Sequence, residues 1–545
     1  MSESIGQSSP RPLLYTRPAL QAGLVAFVVG IAAQYWSHRA GVVFAFWDAQ
    51  AHLDIARRVV DSVTPGPQML GTVWLPVPHL LMLPFTLVDR WWWNGLAGGI
   101  VGLASFVVIV ASLHDLLVRR TAAPRFAWLG TAFVLLNPSL LFLQATAMTE
   151  PVLLACMVGS VNALDLWNDT GSRRALLVAA CAAALAVGSR YDGWFYVLVA
   201  TPSVAWLAFR GHRNALVAAR AEQPEVPDDA SERRTRAGLA KQWLRDAVIF
   251  AAPSAAMVML WLAFNWLYFG DPLEFQRGAW SAQSQQAALA AQGQVPTAGH
   301  PLLSIWYYLG ATALCAGTLV TVLGLLGSAA LIRHLRHGGA PVLLLCTALP
   351  FNVLALIAQQ SVIQLPWTRP AGVLNIRYGV MMLPGLAALG LLGGVRMVAV
   401  HPRWRQGMLL AGLTAVLVQG ALFAVRWPTQ AGALREGLAI RDGDRRQQHA
   451  SDWLATHYDG GRVLVDEAVN ISPRTRIPLR ERVYRWTWQL GTAALATPET
   501  AVDWVVVDGH NTTGAVSRAI AGRDAFSNRF DRAFDEDGLA IWRRR

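Results

Sequence analysis

Charge is scarce in this chain. Only 15% of its 545 residues are Asp, Glu, Lys or Arg, while 54% are hydrophobic. That balance puts the chain in the membrane class. Lysine is nearly missing: Lys241 is the single one, so arginine carries the net charge of +12. Cysteine is scarce too. Cys156, Cys181, Cys315 and Cys346 all fall inside apolar stretches, where they read as small buried hydrophobes. This excludes a disulfide framework or a metal-binding spacing. No basic stripe is present either. The arginines sit in short loops between apolar segments, a pattern of membrane topology that excludes a nucleic-acid partner. No strong internal repeat divides the chain.

What the chain does have is apolar length and 23 tryptophans. Apolar stretches near 19–36, 94–117, 126–143, 151–167, 174–189, 193–209, 246–269, 302–331, 341–360, 375–395 and 406–426 predict about eleven spanning helices. The first is too long for a signal-peptide core and lacks a cleavage site, so it reads as a retained span. Alternate loops differ in basic residues. One set, including the polar loop 210–245, holds 20 Arg or Lys; the other holds 8. The richer set is expected in the cytoplasm. Residues 73–89 contain Pro76, Pro78 and Pro84 in a short apolar run. They read as an interfacial helix on the outer leaflet, with Trp91, Trp92 and Trp93 as anchors, against the alternative of a kinked span.

The predicted organisation is an N-terminal membrane block over 1–209, whose first outer loop is 37–93. A flexible cytoplasmic linker follows over 210–245, then a second membrane block over 246–426. From 427 to 545 the pattern is that of a small α/β domain on the outer, extracytoplasmic side. Residues 461–466, 502–508 and 539–542 read as its strands. That domain has 17 Arg against 16 acidic residues, so it is no polyanion binder.

With this topology four polar groups share the outer face. Asp48 and His52 lie one helical turn apart. Glu150 follows Thr149 and precedes Pro151. Arg190 and Asp192 sit in the turn Ser189-Arg190-Tyr191-Asp192-Gly193. Arg377 and Tyr378 enter a later span. Each has a plain explanation: a helix N-terminal charge, a local Arg190–Asp192 pair, an arginine snorkelling to headgroups. Two acidic sites and two arginines on one face point instead to an anionic, lipid-linked substrate.

The residues Trp47-Asp48-x-x-x-His52-x-x-Ile55-Ala56 resemble the first outer loop of polyprenyl-phosphate-sugar-dependent glycosyltransferases of the C-type fold. Bacterial members related to protein O-mannosyltransferases and lipid A aminoarabinose transferases share the pattern, as does the second GPI mannosyltransferase. Asn137-Pro138 with Thr149-Glu150, the turn at Arg190, and Arg377-Tyr378 with Pro384 are similar to later family motifs. The resemblance covers roughly residues 20–395. One departure stands out: many bacterial members have Asp-Glu where this chain has Asp48-Ala49.

The resemblance implies a multi-pass cell-membrane enzyme that moves a sugar, such as the hexose mannose, from a polyprenyl phosphate to an acceptor hydroxyl. It implies inversion at the anomeric carbon. The acceptor is a glycan, lipid or protein. By position, Asp48 is the candidate base, with His52 orienting it or contacting substrate and Glu150 as a further catalytic group. Arg190, Arg377 and Tyr378 are candidates for the donor phosphate. Asp54 and Asp192 are candidates for substrate binding. Asp48 with Glu150 could hold a divalent metal ion. Two rivals remain open: a transporter or lipid-linked-sugar flippase, and a membrane scaffold presenting the C-terminal domain.

Overall fold

The computed structural model describes residues 15–222, 229–278, 281–332, 340–425, 427, 431–443, 445–485, 487–512 and 514–545. Among them, six helices are long and apolar enough to cross a membrane: Arg17–Arg39, Leu96–Thr121, Glu150–Thr170, Lys241–Phe269, Ile376–Val400 and Arg405–Val425. Their outward faces carry exposed Leu20, Leu24, Leu267, Leu410 and Val425. Apolar surface on this scale fits a lipid environment.

The first helices set the site. Helix α1 (Arg17–Arg39) leads to α2 (Trp47–Arg58), then to α3 (Val77–Thr86) and α4 (Asp89–Trp93). Ten residues make α3 about 15 Å long, half the thickness of a hydrocarbon core. The segment 73–89 is therefore no kinked span. Helix α5 (Leu96–Thr121) packs beside α1, and α6 (Pro124–Leu135) follows.

Two stretches read as single spans are broken. The stretch 126–143 divides at Asn137-Pro138 into α6 and α7 (Pro138–Leu143). Proline lacks the N–H a continuous helix needs, and the Asn137 side chain caps the new start by accepting from Leu140 N at 2.9 Å. Next come α8 (Glu150–Thr170), α9 (Arg173–Val187), α10 (Tyr191–Glu222) and α11 (Asp229–Phe269), with α12 (Glu274–Arg277) and α13 (Ala282–Ala291) in the connector beyond. The second broken stretch, 302–331, divides at Gly317 into α14 (Pro301–Cys315) and α15 (Thr318–Ile332). Gly317 has φ +108, open to glycine alone.

The two breaks meet. Asn137 Nδ2 donates to the carbonyls of Cys315 and Ala316, each at 3.0 Å. Gln419 Oε1 accepts from Leu319 N at 2.9 Å. Backbone groups freed inside a membrane need such partners.

The expected flexible linker is different from its reading. Helices α10 and α11 run into it from both sides as far as Glu222 and Asp229; residues 223–228 lie outside the described residues. Its Ala, Leu, Glu and Arg residues are good helix formers, and charge alone does not make a loop.

After α16 (Ala340–Leu343) and α17 (Ala348–Ile357), the segment Ile376–Met382 forms a 3-10 turn that feeds α18 (Leu383–Val400). This turn packs against α14 so closely that a Cβ at Gly379 would lie 2.3 Å from the Ala311 backbone. Helix α19 (Arg405–Val425) completes the apolar bundle.

Helix α20 (Gly432–Gly443) belongs with the bundle rather than with the domain after it. Ala431, Ala433 and Leu434 are buried in the same core as α7 and the 376–382 turn. Helix α21 (Arg445–His457) opens the α/β domain. Its sheet has five strands: β1 (Val463–Val465), β2 (Arg482–Val483), β3 (Trp504–Asp508), β4 (Phe530–Glu536) and β5 (Leu539–Arg544), in the order β2-β1-β3-β5-β4. The first three are parallel and β5 and β4 are antiparallel. The three strands legible in the sequence are the three central ones. Strand β2 is two residues long, and β4 is mostly exposed and polar, so neither carries a buried apolar run.

Candidate active site

Asp48 lies in the first turn of α2, where the helix dipole favours a carboxylate. Its side chain is 38% exposed, while Ala49, His52 and Leu53 behind it are buried. Glu150 is the first residue of α8, followed by Pro151, and is fully buried. Arg190 stands in the turn between α9 and α10. That turn is tight: a Cβ at Gly193 would lie 2.2 Å from the Ala186 carbonyl oxygen. Arg377 stands in the 3-10 turn, just after Asn375 with φ +55.

These residues form one network. Arg377 Nη2 donates to Asp48 Oδ2 at 2.5 Å, and its Nε donates to Glu150 Oε1 at 3.3 Å. The same Glu150 oxygen accepts from Arg190 Nη1 at 3.2 Å. Arg190 also donates to Thr149 Oγ1 and Asp192 Oδ2, both at 3.2 Å. The Tyr378 ring lies 5.1 Å from each guanidinium, and Phe46 lies 5.0 Å from that of Arg377. One buried carboxylate oxygen, Glu150 Oε2, has no hydrogen-bond partner. Leaving such an atom unpaired is costly, which marks it as a place where a ligand donor fits.

A fourth carboxylate was not anticipated. Glu436, from α20, is fully buried. It accepts from the backbone N–H of Asn375 and of Arg377, each at 2.9 Å, and from Arg377 Nη1. It thereby holds both the strained backbone and the guanidinium. Burial pushes its carboxyl above the ordinary range, against the opposing pull of Arg377. Its one sequence signal was an acidic residue on the apolar face of an amphipathic helix, in a region assigned to the domain.

Four expectations need correction. Asp54 does not face the site. Six residues past Asp48, it points to another side of α2, where it accepts from Trp92 Nε1 and from Arg482 Nη1, each at 3.0 Å. It anchors the C-terminal domain, as does Asp61 through Arg480 at 3.0 Å. Trp92 is 1% exposed and lies beneath Arg57 and Arg482, so it is no lipid anchor. His52 does not orient Asp48. Its Nδ1 shares a 2.9 Å hydrogen bond with His79 Nε2. Burial, helped by Arg190 and Arg377, lowers its pKa to about 3, so it is a neutral imidazole. Asp48 and Glu150 do not fit a metal ion. Arg377 stands between them, and among the described residues no three His, Cys, Asp or Glu side chains gather as ligands.

The remaining candidates, Asp48, Glu150, Arg190, Asp192, Arg377 and Tyr378, are brought together as the sequence implied. Four carboxylates against two arginines leave the site formally two charges negative. An anion enters it by taking over arginine contacts, not by long-range attraction.

No protein-family model matches the chain, and no curated protein sequence matches it. A solved structure does: ArnT from Cupriavidus metallidurans bound to undecaprenyl phosphate. The match covers 95% of this chain and 97% of that one, with a TM-score of 0.53 and 13% identity. The chain has the C-type glycosyltransferase fold.

Proposed function

We propose that the protein is an integral-membrane glycosyltransferase that moves a sugar, a hexose such as mannose, from a polyprenyl phosphate to an acceptor hydroxyl. The observation that carries this reading is the half-exposed Asp48 paired with Arg377, beside a buried Glu150 with one free oxygen. The similar ArnT structure, bound to undecaprenyl phosphate, supports a lipid-phosphate donor.

The geometry suggests an order of events. Of the carboxylates on Arg377, Asp48 is the exposed and therefore the most easily displaced. A donor phosphate that takes its place gains a charge-assisted contact with Arg377 Nη2, the nitrogen that Glu150 and Glu436 leave free. Asp48 is then released to accept the proton of the attacking hydroxyl. Arg377 and Arg190 stabilise the departing phosphate, and Glu150 Oε2 accepts a hydroxyl of the sugar. Attack opposite the phosphate inverts the anomeric centre.

The basic-residue count supports an outer-face site in the cell membrane, with the C-terminal domain extracytoplasmic. A reporter active only in the cytoplasm, fused after Arg545, should then be silent. The transporter reading places ionisable groups near the midplane of the bilayer, whereas Glu150 begins its helix and Arg190 sits in a turn. Purified protein in nanodiscs, given radiolabelled polyprenyl-phosphate sugar and envelope extract, should transfer label to an acceptor. Solute uptake into vesicles with no donor turnover would overturn the enzyme reading.

A further inference from the structure

A cavity of about 420 Å³ opens beside α2, between the membrane helices and the C-terminal domain. That volume is in the range of ligand sites. Phe44, Trp47 and Gln50 line one side of it, though Asp48 itself does not; the other sides come from α20, α21 and the loop 470–474. The lining is polar and mixed in sign. Arg441, Arg445 and Arg474 are set against Asp442 and Asp452, with His449 and Gln448 among them. Trp47 is 42% exposed at its edge.

One detail points toward a ligand. Gln50 is 8% exposed and donates its amide nitrogen to the Phe44 carbonyl at 3.1 Å, but its amide oxygen has no partner. A buried acceptor left open is an expensive feature unless a ligand hydroxyl fills it. Arg474 rests over the Phe44 ring at 5.1 Å.

We propose that this cavity is the acceptor subsite and that it takes a saccharide; the acceptor role rests on the transfer reaction proposed above. An acyl chain needs apolar walls, and a polyanion needs arginines with no carboxylates set among them. Neither describes this lining. Sugar rings present hydroxyls that donate and accept, and apolar faces that stack on an exposed indole. Trp47 and Gln50 belong to the same first turn of α2 as Asp48, which places the cavity and the candidate base at one end of one helix.

The test uses full-length protein in nanodiscs and the oligosaccharide pool released from the cell envelope by mild acid. Amide hydrogen exchange should slow at 445–452 and 470–474 when the pool is added. The double variant Arg474→Ala with Asp452→Asn alters two exposed side chains and should keep its melting temperature and donor-lipid affinity. Its apparent affinity for the pool should fall about tenfold or more, the loss expected for a charge-assisted contact. Protection elsewhere in the chain, or equal protection in the variant, overturns the assignment. So does protection by a peptide digest of envelope proteins in place of the saccharides. Protection without donor turnover would keep the saccharide site and remove the transfer reaction. Turnover without protection would do the reverse.

Discussion

Helix α8 carries a buried carboxylate near each end, Glu150 at its first residue and Asp165 fifteen residues on, about 22 Å away. Both are fully buried, and both pair with two arginines. Their surroundings differ. Asp165 accepts from Arg120 and Arg119 with both oxygens. Arg119 in turn bonds Asp115 and the side chain and carbonyl of Asn162. Asp115 Oδ1 accepts from Thr16 through both its backbone N–H and its hydroxyl. Every buried carboxylate oxygen there is satisfied, and the groups come from the ends of α1, α5 and α8. It is a lock between helices. Glu150 concentrates both arginine contacts on one oxygen and leaves the other empty, and its partner Arg377 also holds a half-exposed Asp48. The same residue types, saturated at one end and unsaturated at the other, separate structure from chemistry.

The largest expected effect breaks this comparison at Asp48. Asp48→Asn keeps size and can still accept from Arg377, but it cannot take a proton. Transfer should fall by about 10²- to 10⁴-fold, the usual worth of a general base, while the melting temperature stays put. Steady-state turnover and thermal unfolding on the same sample decide it. Near-normal turnover would remove Asp48 as the base and leave Glu150 in its place.

Asp165→Asn is the counterpart at the saturated end. Removing one charge from a buried pair costs about 3 kcal/mol of stability. Activity per folded molecule should not change. A loss of turnover without a loss of stability would mean that the lock is coupled to the site.

Much of this contrast was legible in the residues, and the exceptions have physical causes. Asp48, Glu150, Arg190 and Arg377 were placed on one face because each sits at a helix start or turn, where a polar group in an apolar chain is conspicuous. Glu436 was missed because it reaches the site from 59 residues beyond Arg377, on a helix whose charged neighbours resemble a soluble domain. Asp54 was misassigned because proximity in sequence hides the angular step along a helix; six residues turn it away from Asp48. The breaks at Asn137 and Gly317 vanish in an apolar average, although each depends on a residue whose backbone preference was readable. Which carboxylates would be satisfied could not be read, since their partners lie up to 428 positions away, as for Asp54 and Arg482.

Arg377 sharpens the comparison from the cationic side. Arg377→Ala removes the contact proposed for the donor phosphate, worth about 1.5–3 kcal/mol for a charged hydrogen bond. Donor affinity should drop by about 10- to 150-fold. Because the change also strands Glu150 and Glu436, the informative partner is Arg377→Lys. It keeps the charge and should retain the fold, yet it loses the planar fork and should recover only part of the affinity. Isothermal binding of polyprenyl-phosphate sugar to both variants reads this directly. Equal affinity in arginine and alanine proteins would shift the phosphate to Arg190.

The smallest effect concerns the histidines behind the site. His52 is held neutral, its pKa lowered to about 3 first by burial and then by Arg190 and Arg377, whereas an exposed histidine titrates near 6.5. His79 is lowered too, chiefly by burial. Between those two pH values the unfolded chain binds protons that the folded chain refuses. The contribution of His52 to stability is therefore complete above pH 6.5 and declines as pH falls toward 3, by about 1.4 kcal/mol for each pH unit, and His79 acts in the same direction. Melting temperatures in detergent between pH 7.5 and 5.5 should show this acid loss. The double variant His52→Gln with His79→Gln retains a hydrogen bond between the two side chains and has nothing to protonate. Its melting temperature should decline less over the same interval, while Asp165→Asn should leave the slope unchanged, because that end of α8 contains no histidine of this pair. An equally steep decline in the glutamine protein would mean that the acid sensitivity comes from the carboxylates, and that the two imidazoles are solvated in the folded protein.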